Sequence, residues 1–166
     1  MANEKAIDAI KGAILLEKKG KAFYETVARQ TESAAVREIF EMMSAEESTH
    51  VEILQKHYDK LMKEGQFAPA EYDKKAEKFD AQILTTRIKE EVAAAGYEAA
   101  AISAAMAMED RAVTFYSEKA RTSDDAMEKK LFEWLSNWEK THLQFLSEVD
   151  KELQQSVWHD SNFWPM

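Results

Sequence analysis

Apolar side chains recur along this chain at intervals of three, four and seven residues, the period of a helix with one buried face. Ile7, Ile10, Ile14 and Tyr24 form such a stripe with Glu17 among them, and predict a helix from about Asn3 to Arg29. Ser33 is the expected N-cap of a second helix that runs to Glu64 and stops at Gly65. Its stripe holds Phe40, Met43, Leu54 and Leu61, and the same stripe carries Glu47 and His50. A later helix from about Tyr97 to Ala120 aligns Ile102, Ala105, Glu109 and Tyr116. The last begins after Ser123-Asp124 and places Leu131, Leu135, Glu139, His142, Leu146, Val149 and Leu153 on one face. Between the two pairs, residues 66–96 read as a linker with a helical piece near Ala81 to Val92. Residues 154–166 lack a period but hold Trp158, Phe163 and Trp164, so this tail is expected to pack back onto the helices.

Short turns join the helices within each pair, which makes each pair an antiparallel hairpin. The second helix spans about 45 Å at 1.5 Å per residue. A linker over 66–96 is far longer than a hairpin needs and suits a traverse back along the bundle. The pattern therefore predicts an all-α, four-helix bundle over residues 1–153, with helix pairs 3–65 and 97–153 and a long crossover.

The polar residues on these stripes repeat. Glu17, Glu47 and His50 recur as Glu109, Glu139 and His142, each 92 residues further on, and Phe23-Tyr24 recurs as Phe115-Tyr116. In E-x-x-H the two side chains project from one helix face, one above the other. Each such pair can reach one metal ion while its Glu bridges to a neighbour. The expected ligand set is thus Glu17 and Glu109 as terminal carboxylates, Glu47 and Glu139 as bridges, and one imidazole per metal from His50 and His142. Four carboxylates offset the charge of two divalent ions. Without metal they would repel one another in a low-dielectric interior, and some would take up protons. Imidazole plus carboxylate suits iron or manganese better than tetrahedral structural zinc.

A single Glu on an apolar stripe is usually a tolerated polar position, and one E-x-x-H arises by chance. Six such residues with no slip in spacing are harder to explain by packing, because unpaired buried carboxylates cost several kcal/mol. Composition narrows the chemistry further. Cysteine is absent, which removes thiol catalysis, thiolate zinc and iron–sulfur clusters. The net charge of −9 argues against nucleic acid or an anionic membrane as partner. No apolar run is long enough to span a bilayer, and no signal-peptide stretch is evident, so a cytoplasmic location is expected.

Other residues carry weaker signals. Tyr24 and Tyr116 lie two helical turns beyond a terminal Glu, on its face, and are candidate catalytic residues that hydrogen-bond a carboxylate or a bound oxygen species. His57 has Val149 as its repeat mate and reads as non-ligating. His159 reads as structural or exposed, Met42, Met43, Met106 and Met108 as core filler, and Trp138 as packing on another side of its helix. Small side chains from Ala93 to Ala107 could leave a path to the centre.

At these residues the chain resembles the rubrerythrin-like branch of the ferritin-like superfamily. The cues are LLEKKGKAFYE and MEDRAVTFYSE in the first helix of each half, with EESTHVEIL and WEKTHLQFL in the second. The resemblance covers roughly residues 3–153 and implies a non-haem di-iron centre that handles peroxide or dioxygen. It implies peroxidase or oxidase activity in oxidative-stress defence, with ferroxidase or iron storage as the alternative; the sequence leaves the oligomeric state open, with a homodimer as the expectation. Rubrerythrins proper carry a cysteine-ligated rubredoxin-like domain. Here electrons would come from a separate donor such as rubredoxin. Rubrerythrins also have a further Glu three residues after the terminal Glu of the third bundle helix, where this chain has Ala112. The symmetric six-ligand set is closer to that of bacterioferritin, whose haem-ligating Met is replaced here by Ser48.

Overall fold

The computed structural model describes residues 2–69, 81–92 and 96–159. Five helices occupy them: α1 (Ala2–Gln30), α2 (Ala34–Glu64), α3 (Ala81–Glu91), α4 (Tyr97–Thr122) and α5 (Ala126–His159). The predicted boundaries hold to within two residues except at the C-terminus. There α5 continues to His159, beyond the expected end near Leu153, because no Gly or Pro interrupts residues 151–159. The expected return of the tail concerns residues 160–166, which lie outside the described residues, as does the linker segment 70–80.

Local chemistry explains the ends of α2. The Ser33 side chain accepts the Val36 N–H at 3.1 Å, and Gly65 ends the helix at φ 70°, in the left-handed region that glycine adopts without a Cβ clash. Glu91, the last residue of α3, accepts hydrogen bonds from Ser33 Oγ at 2.6 Å and from Ala35 N at 3.0 Å. A carboxylate is thereby set at the positive end of α2. The Ala35 N–H, then the Ser33 hydroxyl, hold the Glu91 carboxyl below the usual carboxylate range. The end of α3 therefore lies beside the start of α2, at the opposite end of that helix from Gly65. That is the long crossover the pattern predicted.

Once back at that end, the chain enters α4 beside the turn that leaves α1. Tyr97 Oη donates to Gln30 at 2.9 Å and Thr31 Oγ1 to Glu98 at 2.9 Å. The helix α4 then runs antiparallel to α1, and α5 antiparallel to α2. Two apolar clusters fill the bundle. One gathers Phe40, Ile88, Ile102 and Leu146; the other gathers Ile10, Leu54, Leu131 and Leu135. Each contains a copy of the same aromatic trio. Phe23 and Tyr24 lie edge-on at 5.6 Å beside Phe40, as Phe115 and Tyr116 do at 5.5 Å beside Phe132. Between the clusters lies a polar layer.

Candidate metal centre

All six donors predicted from the repeat converge in that layer. Glu17, Glu47, His50, Glu109, Glu139 and His142 are each at most 4% exposed. The E-x-x-H spacing stacks Glu47 over His50 on α2 and Glu139 over His142 on α5, while α1 and α4 supply Glu17 and Glu109 from the facing side. Both imidazoles turn Nδ1 inward. His50 Nδ1 lies 3.0 Å from Glu139 Oε1, 3.1 Å from Glu17 Oε2 and 3.7 Å from Glu47 Oε2. His142 Nδ1 lies 3.3 Å from Glu139 Oε2 and 3.5 Å from Glu109 Oε1. The donors form two groups, Glu17–Glu47–His50–Glu139 and Glu47–Glu109–Glu139–His142, each with ligand atoms within 4.8 Å of one another. Glu47 and Glu139 belong to both, so the geometry is that of two adjacent cation positions sharing two carboxylates.

The tyrosines cross between the halves. Tyr24 donates to Glu109 Oε1 at 2.5 Å, and Tyr116 donates to Glu17. Each half thus orients the outer carboxylate of the other. Burial, then the negative charge of Glu109 and Glu47 for Tyr24 and of Glu17 and Glu139 for Tyr116, raise both phenols well above 10 and keep them as donors.

Electrostatics show how poorly these groups are compensated by protein alone. Burial, followed by the charges of Glu17 and Glu139, pushes the Glu47 carboxyl well up. Burial and Glu139 push Glu109 to about 8, against the opposing pull of His142. Burial alone would lower both imidazoles, but Glu139 and Glu17 outweigh it at His50, and Glu109, Glu139 and Glu46 outweigh it at His142; both are raised. Burial would likewise raise Glu139, yet the two imidazoles facing it hold it far below the usual range.

Glu47 Oε2 and both Glu139 oxygens are buried without a hydrogen-bond partner among the described residues. Glu139 Oε1 lies 3.0 Å from His50 Nδ1 and Oε2 lies 3.3 Å from His142 Nδ1, neither in hydrogen-bonding orientation. Buried acceptors left open in this way fit a cation between them. Oxygen and imidazole donors suit iron or manganese.

Two features escaped the sequence pattern. Glu46, 7% exposed, contacts His142 Nε2 and accepts the Trp138 indole N–H at 3.1 Å. Trp138 is therefore not remote packing, as expected from its position, but faces α2, with its ring edge-on to His50 at 5.1 Å. The available signal was the break in the repeat, Glu on one side and Trp on the other. The second feature is a cleft of about 320 Å³ between α1 and α4 that opens onto Glu47, Glu109 and Glu139. His57 belongs to neither donor group; its Nδ1 accepts the Ala68 N–H at 3.3 Å, and burial lowers it to about 4. Side-chain placement at His159 lies outside the described residues.

A ferritin-like helical bundle with buried Glu and His groups able to hold metal defines the class of carboxylate-rich metal proteins. The family model for rubrerythrin matches residues 8–149, and the chain belongs to that family, which implies a di-iron site. Comparison with curated proteins and with solved structures gives no match. Among the described residues, no helix is long and apolar enough to cross a membrane.

Proposed function

We propose that this chain is a non-haem di-iron oxidoreductase that reduces peroxide, with dioxygen as a second oxidant. The observation that carries this reading is the pair of four-donor groups sharing Glu47 and Glu139, buried yet reached by a cleft. Glu17, Glu47, His50 and Glu139 would hold one ion, and Glu47, Glu109, Glu139 and His142 the other, with Glu47 and Glu139 common to both groups. A bound ferrous pair supplies two electrons and Lewis acidity. The chain's own residues do the remainder. Tyr24 and Tyr116 hold Glu109 and Glu17 in place, and the apolar clusters exclude water from both ends. Hydrogen peroxide, two protons and two electrons give two waters. A separate one-electron donor restores the reduced state, since the chain has no cysteine for a rubredoxin-type iron of its own. A homodimer is the proposed assembly, and manganese is the alternative metal.

The test is anaerobic loading with ferrous iron followed by peroxide. Rapid growth of near-ultraviolet charge-transfer absorption, with peroxide consumed in proportion to iron, supports the reading; persistence of peroxide refutes it. The second reading, a ferroxidase feeding a storage shell, is disfavoured by the cations Lys19 and Arg111 lining the cleft. It predicts a particle of about two dozen subunits by light scattering, where the oxidoreductase reading expects a small oligomer.

A further inference from the structure

The cleft between α1 and α4 is larger than a peroxide needs. A water occupies about 30 Å³ in the liquid, so a peroxide takes roughly two such volumes, while the cleft offers about 320 Å³. That size is at the small end of pockets that take organic ligands. The walls are apolar: Leu15, Leu16, Met108 and Phe115 line it. Leu15 is 55% exposed, which extends the apolar surface to the outside.

Two glycines keep this space open. The chain has four glycines; Gly65 and Gly96 end or start helices, whereas Gly12 and Gly20 lie inside α1, where glycine is disfavoured. Both line the cleft. A Cβ at Gly20 would stand 3.5 Å from the Glu47 carboxylate and 3.7 Å from the Tyr24 ring, reducing the space over the floor. A Cβ at Gly12 would press on Phe115 at 3.3 Å. Ala112 lines the cleft too, and a longer residue there would occupy it. In a chain of net charge −9, the exposed charged side chains lining the cleft are both cationic, Lys19 and Arg111.

We propose that this cleft binds an amphipathic organic hydroperoxide, its hydrocarbon chain along Leu15, Leu16, Met108 and Phe115, its anionic head at Lys19 and Arg111, and its O–O bond over Glu47 and Glu139. Fatty-acid hydroperoxides have this chemistry. The inference rests on the peroxide-reducing reading above and names its substrate class. The O–O bond of R–O–OH breaks, two electrons and two protons are taken up, and R–OH and water leave. The electrons are those of the reduced metal pair, restored by the external one-electron donor.

Binding is measured on the iron-loaded, oxidised protein by calorimetry with hexanoate, octanoate and decanoate, unreactive acids of increasing chain length. Affinity should rise up to about fourfold per buried methylene until the cleft is filled. The K19E/R111E double variant should weaken decanoate binding about tenfold and reverse the preference for decanoate over decanol. Both residues are exposed, and an unchanged thermal transition verifies the fold. In turnover assays, kcat/KM should be at least tenfold higher for linoleate hydroperoxide than for hydrogen peroxide, and the charge reversal should lower that ratio. Absent chain-length dependence, or decanoate binding that survives charge reversal, overturns the proposal, the latter by placing the carboxylate elsewhere. Loss of binding as protein concentration rises would also overturn it, since a second copy of the chain would then cover the cleft. If hydrogen peroxide oxidises the ferrous protein but the acids do not bind, the cleft assignment alone falls. If hydrogen peroxide also fails, the oxidoreductase reading falls with it.

Discussion

Glu46 and Trp138 stand at equivalent positions in the two halves of the repeat, and they hydrogen-bond to each other across the bundle, indole Nε1 to Glu46 Oε2 at 3.1 Å. The consequence is an asymmetry in an otherwise two-fold site. His142 gains a carboxylate on its outer nitrogen, whereas His50 Nε2 has no hydrogen-bond partner among the described residues and its ring meets Trp134 and Trp138 edge-on. An outer carboxylate fixes an imidazole's tautomer and strengthens it as a ligand.

The two cation positions should therefore differ in affinity. In Glu46→Gln, one of the two ions is expected to bind about 10- to 100-fold more weakly, the other with little change. Titration with manganese, followed by the loss of its free-ion resonance, separates the two steps. Equal weakening of both would show that Glu46 acts on the whole layer rather than through His142.

Tyr24→Phe and Tyr116→Phe each remove the donor on a buried carboxylate. Each should lower the stability of the metal-free protein by about 1–3 kcal/mol, read from the urea midpoint. Because the contacts are related by the repeat, the two losses should be similar. A loss confined to one variant would show that only one crossing contact is formed in solution.

Without metal, stability should fall as pH rises from about 6.5 to 9. Glu47, Glu109, His50 and His142 all have folded-state proton affinities above their ordinary values, Glu109 at about 8. In this window the folded state holds more protons than the unfolded state, so raising pH favours unfolding. Glu139 is shifted the other way, and its stabilising contribution is lost only in acid, below the ordinary carboxylate range. Thermal melts across pH, with and without bound metal, measure this. Metal should flatten the decline, and calorimetry in buffers of different ionisation enthalpy should detect protons released on binding at pH 7.

The shared carboxylates should respond oppositely to neutralisation. Glu47 is crowded by Glu17 and Glu139, so Glu47→Gln should stabilise the metal-free protein at pH 8 by on the order of 1 kcal/mol. Glu139 faces both imidazoles, so Glu139→Gln should destabilise it by about 3–5 kcal/mol. Both variants should lose metal. Denaturant curves on chelator-treated protein, with elemental analysis, give the two readouts.

The repeat at 92 residues, the helical spacing between its donors and the length of the segment between the halves determined the helices, the crossover and the six side chains of the site. This was legible because a helix converts spacing directly into a face, and a carboxylate on an apolar face is too costly to be there by accident. Which nitrogen of each histidine faces inward, and which tyrosine holds which carboxylate, depended on the rotation of four helices about their axes. Tertiary packing alone settles that rotation. The same is true of Glu46 and Trp138, adjacent in sequence to Glu47 and Glu139 yet joined only because α2 meets α5 on that side. Taken by themselves, Gly12 and Gly20 are only positions of low helix propensity inside α1. Only the approach of α4 turned them into the open side of the site, since a missing side chain has meaning only against what packs opposite it.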